Sequence, residues 1–135
     1  MAAEWLIAAF LLTHGAIHSS FMAPRPPVTA GGPAWPFELG RSWVLGPLGL
    51  DSQAIHMVGV ALIALTIGGF ALAALTAIGI APASLWPATV TIGAIASIAV
   101  LGIYFSPWFA LGIAIDLVLL WAVLIASWTP EGMTA

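Results

Sequence analysis

Of 135 residues, 62% are hydrophobic and 5% are charged, and the charged set is Glu4, Arg25, Glu38, Arg41, Asp51, Asp116 and Glu131. Soluble domains carry charge on about a quarter of their residues, so this chain cannot cover a water-facing surface, and its mean hydropathy of +1.15 is that of an integral membrane protein. Two arginines without a lysine cannot track a nucleic-acid backbone, the absence of Cys removes disulfides and thiolate chemistry, and the hydrophobicity removes disorder.

A spanning helix takes roughly 20 mostly apolar residues. The first such segment runs over 4–22 and stops at Pro24, Pro26 and Pro27. It lacks the basic start of a cleavable signal peptide, since Glu4 is acidic and no Lys or Arg precedes the apolar run. The connection over 23–50 holds six of the ten prolines, together with Trp35, Phe37, Trp43, Arg25, Glu38 and Arg41. A connection of that length is functional or disordered, and its aromatic content argues for an interfacial lid whose rings pack on helix ends. The second span opens on an Asp51-Ser52 cap and runs over 51–80. The third covers 86–105, with Pro87 tolerated in its first turn. The fourth covers 108–128 after a break at Ser106-Pro107. Trp5, Trp86, Trp108 and Trp128 fall at span ends, as in an aromatic belt.

The expected fold is therefore all-α, with residues 1–135 forming one antiparallel four-helix transmembrane bundle and a long aromatic, Pro-rich first connection. Four spans put both termini on one side. The two arginines of the first connection place 23–50 in the cytoplasm and the termini outside, in what is expected to be a bacterial inner membrane. Small residues recur at helical spacing, with Gly69, Ala73 and Ala77 on the second span and Gly93 and Ser97 on the third. Such rows let helices approach closely, either within the bundle or against a second chain.

Ionisable groups inside a span are costly and mark functional sites. Four qualify: His14, His18, His56 and Asp116. A rise of about 1.5 Å per residue puts all four in the half of the bilayer nearer the first connection. His14 and His18, at i and i+4, share a helix face, and the neighbouring Gly15 leaves room for another backbone or a flat ligand. Three readings follow. Asp116 accepts a hydrogen bond from His14 or His18 and ties the first span to the fourth. Alternatively, His14, His18 and His56 ligate a transition metal, or His18 and His56 hold a b-type haem. The third reading is a proton relay or polar ligand pocket under the lid, with Arg25, Glu38 or Arg41 as outer partner. Thr66, Thr91 and Ser97 are expected to return hydrogen bonds to their own helices.

The run Leu12-Thr13-His14-Gly15-Ala16-Ile17-His18 resembles the HGxIH signature of small four-helix bacterial membrane proteins with no assigned function. Gly68-Gly69-Phe70, Trp86 and the stretch 112–120 fall where that group carries comparable residues, while Ser19-Ser20 replaces its usual apolar pair. The resemblance implies the same architecture and carries no activity.

With no extramembrane domain and no phosphate loop or nucleophile motif, the composition favours a non-enzymatic accessory protein. It would pack among lipids against other membrane subunits or copies of itself. A haem- or metal-binding redox subunit is the alternative. A small-solute carrier or channel comes third, without visible inverted repeats.

Overall fold

The computed structural model describes residues 2–32 and 34–130. Helices α1 (Ala2–Ile17), α2 (Ser52–Ala77), α3 (Trp86–Ile103) and α4 (Ala110–Leu120) are extended by tighter or wider turns. With these turns, four segments are long and apolar enough to cross a membrane: Ala2–Met22, Ser52–Ala77, Ala83–Ile103 and Pro107–Ile125. No strand occurs among the described residues. The chain is an all-α integral membrane protein with a four-helix transmembrane bundle.

Local chemistry sets the ends. Asp51 caps α2 by accepting from the Ala54 N–H at 2.8 Å. At the other end α2 stops at Ala77 rather than at 80. Gly79 takes φ +77°, and the Ile80 and Ala81 N–H groups both turn back to the Leu75 carbonyl. The first span is α-helical only to Ile17 and then tightens to a 3-10 turn over His18–Met22. The fourth widens to a π turn over Trp121–Ile125.

The helices pack in chain order, α1 on α2, α2 on α3 and α3 on α4. The small-residue rows act inside the bundle. A Cβ on Gly69 would lie 2.6 Å from the Gly93 nitrogen and 2.7 Å from its Cα, so α2 and α3 meet backbone to backbone. Gly15 admits Phe70 of α2, whose Cβ would lie 3.3 Å from an added methyl.

Two apolar clusters fill the interior. One gathers Leu11, Phe70, Ala73, Trp86, Val90 and Val123; the other gathers Phe21, Leu39, Ile55, Ile63, Val100 and Phe109. Between them in every helix stands a buried polar residue: His14 and His18, Thr66, Ser97, Asp116. Outward-facing Leu65, Leu72, Ile92, Ile95, Leu117 and Val118 are exposed. Polar inside and apolar outside is the arrangement that a lipid solvent stabilises.

Trp86 departs from the aromatic belt. It is 1% exposed and donates its indole N–H to the Trp128 carbonyl at 3.1 Å, while Trp5, Trp108 and Trp128 remain at the surface. A buried indole needs such a partner, and the π turn that ends α4 brings the Trp128 carbonyl to it.

The first connection folds over one end of the bundle. Ser42 Oγ donates to the Ile103 carbonyl and the Trp43 indole N–H to the Gly102 carbonyl, both at 2.8 Å, so the connection caps the end of α3. Phe37 packs against Phe21 and Phe109 with ring centroids 5.1 and 5.6 Å apart. Trp35 and Phe37 are half-buried, as a lid requires. Trp43 is not: it is 67% exposed, because its ring lies along the outside of the helix end while only its N–H is engaged.

Candidate functional site

His14, His18, Ser97 and Asp116 form one continuous hydrogen-bonded network. His14 Nε2 lies 2.7 Å from Asp116 Oδ1. Ser97 Oγ lies 2.5 Å from Asp116 Oδ2 and 2.8 Å from His18 Nε2. His18 Nδ1 lies 3.1 Å from the His14 carbonyl. Asp116 and Ser97 are 0% exposed, His18 3% and His14 7%. Helical spacing explains the closure: the i, i+4 pair presents both imidazoles to one side, and α3 and α4 each contribute one polar group at the same depth. His14 is further held by Phe10, stacked at 5.9 Å, and by Phe70, edge-on at 5.2 Å.

The protons of this network can be counted. A carbonyl only accepts, so His18 Nδ1 carries a proton. Ser97 has a single O–H. If it points to Asp116, then His18 Nε2 must also carry a proton, and the network holds a His18 cation and an Asp116 anion. If it points to His18 Nε2, then Asp116 must be protonated on Oδ2, and every group is neutral. The two arrangements hold the same protons and interconvert by moving one along each of the bonds from Asp116 through Ser97 to His18. In both, His14 donates from Nε2. The result is a short hydrogen-bonded ring closed on itself.

Its only unused atom is His14 Nδ1, which meets no hydrogen-bond partner among the described residues. His14 and His18 form part of the wall of a cleft of about 370 Å³ between α1 and α4, whose backbones stay apart. Phe21, Phe37, Trp108 and Phe109 surround its lid end, and Leu111, Gly112 and Ile115 its α4 side. Ile17, Leu111 and Trp108 at its margin are 56%, 72% and 74% exposed, so the cleft opens on the apolar, lipid-facing surface.

His56 stands apart from this assembly. It sits near the start of α2 with its side chain exposed, because that helix turns Ile55 and Gly59 inward instead. Among the described residues no three His, Asp or Glu side chains are placed to hold a metal ion. Nor do the residues fit a haem bridged by His18 and His56, since both ring nitrogens of His18 are already hydrogen-bonded. Arg25 and Glu38 stay at the surface as a 3.9 Å ion pair, exposed by 54% and 39%, which is worth little in water. Arg41 is exposed beside them, so none of the three reaches the network.

Ser97 is the member that sequence reasoning missed. Thr66 does return its hydroxyl to its own helix, at the Leu62 carbonyl, while the buried Thr91 hydroxyl has no partner. Ser97 instead joins three helices. Its depth on the third span, level with His18, was the available signal. The residue is 0% exposed, and its Oγ is held between Asp116 and His18.

No family model matches the chain, and neither a curated protein nor a solved structure is detectably similar to it.

Proposed function

We propose that this protein is a membrane-embedded binding protein for a lipophilic small molecule, taken up from the bilayer between α1 and α4. The observation that supports this reading is the cleft itself, apolar, open toward lipid and lined in part by His14, whose Nδ1 has no hydrogen-bond partner among the described residues. Ligand sites combine a mostly apolar concavity of about 300–1,000 Å³ with a few placed polar groups, and this one has that make-up. Both uncharged proton arrangements of the network leave His14 Nδ1 as a lone pair, so its character as an acceptor is fixed. We place the lid and its arginines on the cytoplasmic face of a bacterial inner membrane, by the positive-inside rule. The resemblance carried by His14 to His18 extends the proposal to other chains with the HGxIH run.

An accessory role, with the bundle docked on other subunits, draws on the size of the chain. It gains nothing from the small-residue rows, which are already buried at the α2–α3 contact. The test is photolabelling in nanodiscs with an apolar aryl diazirine. Labelling concentrated on Phe21, Phe37, Leu111 and Ile115, above that of the lipid-facing Leu65 and Leu72, and abolished by Ile115→Trp, is the expected result. Uniform labelling of all lipid-facing residues would refute it.

A further inference from the structure

We infer that the ligand of this cleft is a neutral, ring-bearing lipid with a free hydroxyl, such as a phenol or a reduced quinol, and that the hydroxyl donates to His14 Nδ1. The inference rests on the proposed ligand-binding role and adds the chemistry of the head group.

Three observations narrow the choice. The first is the proton count. Any arrangement that gives His14 Nδ1 a proton leaves the network with a net positive charge, because the bonds to Asp116, Ser97 and the His14 carbonyl still require theirs. A net charge inside lipid is costly. Both uncharged arrangements present Nδ1 as a lone pair, so the group it meets must be a donor. A quinone carbonyl, an ether or an ester offers only acceptors and would leave the lone pair without a partner. The second is depth. His14 lies between the two apolar clusters, near the middle of α1 as a span, where a phosphate or an ionised carboxylate would have to shed its water. A neutral hydroxyl avoids that cost. The third is shape. Phe21, Phe37, Trp108 and Phe109 bring four aromatic rings to the cleft beside the imidazoles. Rings of this kind favour an aromatic guest by offset or edge-on contact. The open side toward lipid leaves room for an alkyl or prenyl tail to stay in the bilayer.

The experiment compares four probes with one tail: a para-alkylphenol, its methyl ether, the matching para-quinone and the alkanoic acid. Each is titrated into the protein in nanodiscs of zwitterionic lipid and followed by calorimetry. The phenol should bind about tenfold more tightly than the ether and the quinone, the ratio expected when a buried acceptor gains or lacks its donor. It should also outcompete the acid. In protein labelled with ¹⁵N-histidine, the phenol should move the His14 Nδ1 resonance and the ether should not, a readout that needs no variant. In His14→Phe the phenol-to-ether ratio should fall to about one; should that variant not fold, the resonance decides. Equal binding of phenol, ether and quinone would overturn the inference while leaving an apolar binding cleft. Preference for the acid would overturn it in favour of a charged head group. Failure of all four to bind would overturn the ligand-binding reading itself.

Discussion

Asp116→Asn and Asp116→Ala should separate sharply in stability, and the proton count says why. The Asn amide can reproduce the neutral arrangement: its oxygen accepts from His14 Nε2, and its NH₂ donates to Ser97 Oγ, which in turn donates to His18. Volume is conserved and every partner is kept, so the loss should stay within about 0.5 kcal/mol of zero. Alanine removes both contacts, at 2.7 Å and 2.5 Å, at a fully buried position. Two orphaned polar groups cost about 1–3 kcal/mol each. Because interhelical bonds in membranes average nearer 0.6 kcal/mol, the lower end applies, and a loss of about 2 kcal/mol is expected. Equilibrium unfolding in mixed micelles, with far-UV circular dichroism as SDS is raised, measures both variants against the parent. A loss in Asp116→Asn equal to that in Asp116→Ala would refute the neutral arrangement and require the carboxylate charge itself.

Ser97→Ala leaves Asp116 Oδ2 and His18 Nε2 facing each other without a bridge and should cost about 1–3 kcal/mol in the same assay. Its effect should not add to that of Asp116→Ala, since both break one network. Gly69→Leu should destabilise most, by several kcal/mol, because its Cβ meets the Gly93 backbone, which cannot move aside; a refolding yield near that of the parent would contradict the close approach. His56→Ala, at an exposed position, should change stability by no more than about 0.5 kcal/mol. Tyr104, the only tyrosine, is buried just past the end of α3 and donates to the Ile55 carbonyl; burial pushes its phenol above the ordinary value near 10. The folded state then holds this proton more tightly than the unfolded one, so Tyr104 contributes fully below about pH 10 and less as pH rises through its folded value. Phenolate absorbance titrated with and without SDS reads that order directly.

The span positions were legible because they depend on composition over about 20 residues, which the surrounding fold hardly alters. Ends were less so. Ile78, Gly79 and Ile80 are apolar enough to continue a span, yet Gly79 can take a left-handed conformation that β-branched neighbours resist, and α2 turns there. The lid was half legible: aromatic content announced that 23–50 would pack, but the choice between Phe37, tucked against Phe21, and Trp43, tethered by one N–H outside, rests on the direction in which the chain crosses the α3 terminus.

The site divides along the same line. Depth arithmetic grouped His14, His18, His56 and Asp116, because depth is a one-dimensional property that rise per residue supplies. Which way a side chain faces is a second dimension, and it depends on which neighbour each helix meets. His56 has the right depth and the wrong azimuth: α2 turns Ile55, Gly59 and Ile63 to its neighbours, which points the next residue after Ile55 outward. Ser97 has the right depth and the right azimuth, set by the close α2–α3 contact at Gly93, one helical turn away. The small-residue row that was read as packing therefore has two parts. Gly93 packs, and the contact it makes fixes the rotation of α3 that aims Ser97 at Asp116 and His18. A polar group too small to stand out in a hydropathy profile becomes the link between two proton-holding side chains because a glycine one turn earlier leaves its helix no other way to face.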